Sequence, residues 1–235
     1  MEKEFDTLPV RTLVFRLGIP AMSAQFFNIL YSIVDRIFVG HMTNGEAAIA
    51  GIGICAPVLN SVTAFASLIG IRGASILSIS MGKRDYKTAQ KTIKTAFYLL
   101  GCLSILLTAS LLFFAKPILF AFGCSENLFS YAKGYFCTYV VGTAAMLLGL
   151  GLNQFVLAQG LAKQGMISVI IGAAINILLD PIFIFIFNLG VKGAAIATVL
   201  GQIASMVYVF LCNSVSVYWN TVYHILDYFT GKFKS

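Results

Sequence analysis

Of the nine Asp and Glu residues in this chain, seven stand in short polar stretches and two, Asp35 and Asp180, stand inside long apolar runs. Around both acids lie neutral oxygen and nitrogen donors at helical spacing. Gln25, Asn28, Ser32 and Asp35 follow one another at steps of three, four and three, which puts them on one helix face, with Tyr31 beside them. Asn176 and Asp180 are four apart and stack one turn above the other. Pro181 comes next; it lacks a backbone donor, frees a carbonyl near Ile177 and bends the helix beside the acid. Thr198, Gln202 and Ser205 share a third face, and Tyr135, Asn153 and Gln154 add polar groups elsewhere in apolar sequence. Two carboxyls, an amide, a hydroxyl and a loosened carbonyl form a hard-oxygen set suited to Na⁺. The same carboxyl pair can instead share a proton. Plainer roles stand beside these: Ser32, Gln202 and Ser205 can simply join helices by hydrogen bonds, and Asp35 can pair locally with Arg36.

The elements that must position these groups follow from composition. Apolar residues make up 59% of the 235 and charged residues only 11%, under half of what a soluble domain carries at about 25%. So few charges cannot cover a water-facing surface, so most of the chain must be solvated by lipid. A crossing needs roughly 20 apolar residues, and six stretches qualify: 14–39, 48–81, 95–122, 132–160, 166–189 and 193–218. All should be helices, because unpaired strand edges are too costly in hydrocarbon. The expectation is an all-α, polytopic bundle of six transmembrane helices over 14–218. A segment at 1–13 precedes it, and a cytoplasmic or interfacial tail follows at 219–235. The first span is too long, and too charged at its start, to be a cleaved leader.

Lys and Arg are distributed unevenly across the loops. Lys3, Arg11, Arg16, Lys83, Arg84, Lys87, Lys91, Lys94, Lys163, Lys232 and Lys234 fall on one side, against Lys116, Lys133 and Lys192 on the other. Positive loops stay inside, so both termini are expected in the cytoplasm of a cell-membrane protein. In that orientation Asp180 lies roughly 13 Å and Thr198 roughly 8 Å below the outer ends of their spans, and Asp35 roughly 6 Å from Val39, at 1.5 Å of rise per residue. All three share the outer half of the membrane. The Lys83–Lys94 cluster reads as a positive-inside loop, so no nucleic-acid partner is expected, and lipid is. The five cysteines read as structural thiols. His41 and His224 have no catalytic partner pattern and no P-loop is present, so no enzyme activity and no cofactor are expected.

At this point the residues resemble a known family. GIPAMSAQFFNILYSIVDRIFVGHM (Gly18–Met42) is similar to the first helix of the multidrug and toxic compound extrusion (MATE) transporters, and SILSISMGKRDYKTAQK (Ser75–Lys91) to the second helix and its basic loop. NILLDPIFIF (Asn176–Phe185) and GVKGAAIATVLGQ (Gly190–Gln202) resemble the fifth and sixth helices. The resemblance covers about residues 10–210 and implies the amino-terminal half of a two-lobed antiporter of the DinF-like branch. It implies export of organic cations and other amphipathic compounds in exchange for Na⁺ or H⁺, by alternating access. It assigns the ion to Asp35, Asn176, Asp180 and Thr198, and a substrate cavity to Gln25, Asn28, Tyr31, Tyr135 and Asn153.

The family is about twice as long as this chain, and the sequence after Cys212 does not resemble its inter-lobe linker. A second six-helix lobe, from another copy or a separate chain, is therefore an expected partner. Two other readings stay open: a flippase for lipid-linked precursors from the wider superfamily, which should show more cationic residues at its cavity, and an inactive half-length product.

Overall fold

The computed structural model describes residues 10–42 and 44–231, and among them the side chains of all but residues 10, 13, 16, 17 and 214–231. Lys3, Lys232 and Lys234, the side chain of Arg16, and those of His224 and the tail aromatics lie outside this description.

Among the described residues every element is helical. α1 spans Val10–Gly40, α2 Gly45–Gly82, α3 Tyr86–Phe113, α4 Ala115–Ala121, α5 Glu126–Val141, α6 Thr143–Ala158, α7 Ala162–Pro181 and α8 Val191–Gly231, with a π-helical turn, Ile182–Ile186, extending α7. Among the described residues, four helical stretches are long and apolar enough to cross a membrane: Gly45–Gly82, Tyr86–Phe113, Ala162–Ile186 and Val191–Asn213. α5 and α6 qualify as a fifth when taken together, bent by 55° where they meet. The first expected span forms one continuous helix of 31 residues.

Three boundaries differ from expectation, each for a local reason. The stretch 95–122 is not one span: it ends at Phe113 and resumes as the short α4. Pro117, near the start of α4, has no N–H to give the Phe113 carbonyl, so the ladder cannot run through. The stretch 132–160 breaks at Gly142, against which the Val199 side chain of α8 is wedged. Thr108 on α3 donates 3.3 Å to the Val140 carbonyl at that break. The stretch beyond 218 continues the helix of α8 to Gly231 without interruption, rather than starting a separate element at 219.

After Pro181 the helix widens. Phe187 N–H reaches the Ile182 carbonyl at 2.9 Å and Leu189 N–H the Phe183 carbonyl at 3.1 Å. The chain then reverses through left-handed Asn188 and Gly190 into α8.

α7 lies between α1 and α8, and α6 packs on α2, α3 and α8. α1 touches α7 closely and α2 only sparsely. Small residues permit the central crossings, as expected where lipid supplies no hydrophobic drive between helices. A Cβ on Gly201 of α8 would stand 2.6 Å from the Gly172 carbonyl oxygen of α7, and one on Gly70 of α2 would stand 2.8 Å from the Gly151 carbonyl oxygen of α6. Large apolar side chains such as Met22, Leu68, Ile105 and Ile186 face outward, as a lipid-solvated surface requires. Cys55 and Cys124 are buried, but Cys102 is exposed on α3, so it does not share their structural role.

The α2–α3 loop is closed by a cap: Asp85 accepts the Thr88 backbone N–H at 3.1 Å. Hydrogen bonds from the Thr88 side chain and backbone hold this carboxyl below its ordinary value of 3.8. A group whose folded pKa is depressed contributes at neutral pH and stops contributing as pH falls through that value. Amide exchange at Thr88 is therefore expected to be slow at neutral pH and to speed up in acid, beyond the intrinsic pH dependence, and an Asp85→Ala chain should lack the slow phase. At the α7–α8 crossing, Gly201→Val should lower thermal stability in detergent by about 2 kcal/mol through overpacking. Gly53→Ala, whose added carbon meets nothing within 4 Å, should not lower it.

Candidate functional site

The two acids come from different helices and meet. Asp35 on α1 and Asp180 at the end of α7 are 9% and 0% exposed, and their carboxyl groups approach within hydrogen-bonding reach of each other. A pair at that range needs a positive charge between its oxygens, either a proton or a cation. The close packing of α1 on α7 brings them together, and the helical spacing of Asn176 and Asp180 adds the amide.

Asn176 Nδ2 donates to Asp180 Oδ1 at 3.3 Å and to Thr198 Oγ1 at 3.2 Å. Thr198 in turn donates to the Ala194 carbonyl at 2.9 Å. Those bonds fix the amide with its oxygen away from Asp180 Oδ1. Three acceptors are left buried with no hydrogen-bond partner: Asp35 Oδ1, Asn176 Oδ1 and Asp180 Oδ2. Buried acceptors without partners are rare because each forfeits its solvation. Here three of them belong to one cluster, together with the Thr198 hydroxyl, and all are hard oxygens of the kind that suits an alkali cation or a proton. Among the described residues, no group of three or more His, Cys, Asp and Glu side chains forms a softer or more acidic metal site.

Beside this cluster is a cavity of about 530 Å³. Gln25, Asn28 and Tyr31 of α1, Asn153 of α6, and Asn176 and Thr198 line it, as do Tyr139, Met146 and Gln202. No charged side chain among the described residues is in its lining; Asp35 and Asp180 are buried outside it, Asp180 bonded to the lining residue Asn176. Asn176 and Thr198 thus belong to both the oxygen cluster and the cavity wall.

Tyr135 departs from its expected place. It is 6% exposed and absent from the cavity lining, buried instead within electrostatic reach of Tyr31 and Asp35. The tyrosine one turn later, Tyr139, reaches the cavity, because the two sit at different heights on α5. Their rings lie 5.7 Å apart.

Asn60, Thr63 and Ser67 of α2 also line the cavity, and sequence reasoning missed them. Their steps of three and four were the available signal. Gln202 and Ser205, also open to a purely helix-joining role, line it as well; Gln202 does both, donating to the Tyr139 hydroxyl at 2.7 Å. Arg36 is exposed and, with Asn28, Tyr31 and Ser32, edges a separate surface hollow. It is exposed while its neighbour Asp35 is buried, yet its charge still reaches that carboxyl.

A protein-family model described as MatE matches residues 20–182. The multidrug export protein MepA of Staphylococcus aureus (strain NCTC 8325 / PS 47) is 26% identical over 207 residues, covering 87% of this chain and 45% of that protein. Its namesake in Staphylococcus haemolyticus (strain JCSC1435) is 26% identical over 198 residues, covering 84% and 44%. Among solved structures, one titled as the crystal structure of MATE in the bent conformation superposes with a TM-score of 0.79 at 26% identity, covering 85% of this chain and 44% of that one. Another, titled as the outward-facing conformation of a multidrug resistance MATE family transporter of the MOP superfamily, gives 0.77 at 26% identity, covering 84% and 43%. The chain spans less than half the length of these relatives.

Proposed function

Since the chain belongs to the MatE family, a group of multi-pass membrane transporters, we propose that it is one six-helix lobe of an antiporter that exports amphipathic and cationic compounds in exchange for Na⁺ or H⁺. The observation that carries this reading is the set of three buried, unpartnered oxygens on Asp35, Asn176 and Asp180, adjoining an uncharged cavity. A permanent structural network would satisfy those acceptors; a site that loads and unloads a small positive species leaves them available.

The division of labour follows from the layering. Asp35 and Asp180, with Asn176 and Thr198, hold the ion. Gln25, Asn28, Tyr31 and Asn153 meet the substrate, with amide and hydroxyl groups for polar parts and the aromatic face for apolar or cationic parts. Loading the ion cancels one unit of the carboxyl pair's negative charge and weakens the field that a cation in the cavity feels; releasing it restores that field. Alternating access then requires a second six-helix lobe across the cavity. The Lys and Arg distribution supports cytoplasmic termini in a cell membrane. A flippase for anionic lipid-linked precursors is disfavoured by the absence of Lys and Arg from the cavity lining.

In proteoliposomes, efflux of a fluorescent cation driven by Na⁺ or pH gradients imposed separately should identify the coupling ion. Asp180→Asn should reduce coupled efflux at least a hundredfold while membrane insertion stays normal. Coupled efflux retained in Asp180→Asn would overturn the reading.

A further inference from the structure

Tyr139 stands on the boundary between the oxygen cluster and the cavity, and its hydroxyl ties three helices together. It lies on α5, three residues before the break at Gly142. Its ring leans on Tyr135 at 5.7 Å and 31°, and the ionisable groups facing it are Tyr31, Tyr135 and Asp35. Its hydroxyl accepts from Gln202 Nε2 of α8 at 2.7 Å and donates to the Met146 thioether of α6 at 3.6 Å.

Met146 is on the far side of the 55° bend. Asp180, Asn176 and Thr198 are joined by hydrogen bonds, and Gln202, one turn beyond Thr198 on α8, opens a second hydrogen-bonded group with Tyr139 and Met146. Tyr139, Met146 and Gln202 all line the cavity, whereas neither carboxyl does.

The hydroxyl proton is committed to a poor acceptor. A thioether is a weak hydrogen-bond partner, while Asp35 Oδ1 and Gln202 Oε1 are buried with none. Turning the hydroxyl proton away from Met146 therefore costs little and frees that side chain of the cavity wall, while Gln202 keeps its bond to the hydroxyl oxygen. We propose that Tyr139, latched to Gln202 and Met146, is the positioning residue through which the state of the Asp35–Asp180 cluster changes the shape of the cavity. A hydroxyl proton that can leave Met146 without breaking the Gln202 bond is the kind of discrete element that coupling between neighbouring sites needs. This inference rests on the antiporter reading above and adds the residue that links its two sites.

Equilibrium binding tests it without requiring transport. Ethidium affinity of the purified chain in detergent would be read by fluorescence with and without saturating Na⁺, and at two pH values. The wild-type chain should show an ion-dependent shift in Kd of about tenfold, within the usual range of such couplings. Asp180→Asn should abolish the shift. Tyr139→Phe should reduce the shift to less than about twofold, whatever change the lost hydroxyl makes to the ion-free Kd. Gln202→Met, which keeps the volume and removes the other half of the latch, should give the same loss, and it decides the matter should Tyr139→Phe not fold.

A Tyr139→Phe chain whose Kd rises equally in all conditions, with the shift intact, would make Tyr139 a mere substrate contact and overturn the proposal. An intact shift in both variants would also overturn it, while Asp180→Asn still abolished the shift and the antiporter reading stood. No shift in the wild-type chain would overturn both.

Discussion

Two carboxyl groups brought together in a bundle solvated by lipid set the terms for the rest of this structure. Removing one carboxylate from water is costly, and placing a second within hydrogen-bonding reach of it is sustainable only with a positive charge close by. Among the described residues no lysine or arginine is buried beside the pair: Arg36, the nearest in sequence, is exposed and acts on Asp35 only from the surface. The protein instead sets the neutral side chains of Asn176 and Thr198 beside the pair and leaves three oxygens of the cluster, two of them carboxyl, without partners. The place for the cation proposed above is thereby built into the packing of α1 on α7.

That packing has its own requirements. α7 must approach α8 closely enough for Asn176 to reach Thr198, and Gly172 and Gly201 remove the side chains that would hold the helices apart. α1 is committed to α7 and only loosely to α2, so the acid on α1 stays in register with the acid on α7 while the cavity extends between α1 and α2. Asn176 and Thr198 face both ways. The lining among the described residues is uncharged and mixes neutral polar, aromatic and aliphatic groups. In the proposed antiporter such a cavity would sense a substrate's charge through the field and its shape through contact, which suits loose selection among amphipathic molecules better than recognition of one.

Much of this could be read from residue spacing. The three-and-four steps around Asp35, the Asn176–Asp180 pair and Thr198 mark helix faces, and helix faces survive any detail of tertiary packing. What spacing cannot supply is the height at which neighbouring helices meet. Tyr135 and Tyr139 lie on nearly the same face of α5, and only the position of α8 and its Gln202 puts the second, not the first, at the cavity. The α2 stripe of Asn60, Thr63 and Ser67 was readable by the same rule that found the α1 stripe, but no acid marked it. Pro117 signalled the end of α3 by its missing donor, whereas the break at Gly142 arises from the Val199 side chain of another helix and has no local signature beyond a glycine. The π-helical turn after Pro181 is a larger departure than the bend a proline implies.

The central claim, that one small positive species is shared between Asp35 and Asp180, is tested most directly by infrared difference spectroscopy of the carboxyl C=O stretch on ion loading. The account predicts a single carboxyl signal that changes when Na⁺ is added or pH is altered and that disappears in either Asp35→Asn or Asp180→Asn, because each oxygen set needs the other. Two independent signals, each surviving loss of the other residue, would contradict it.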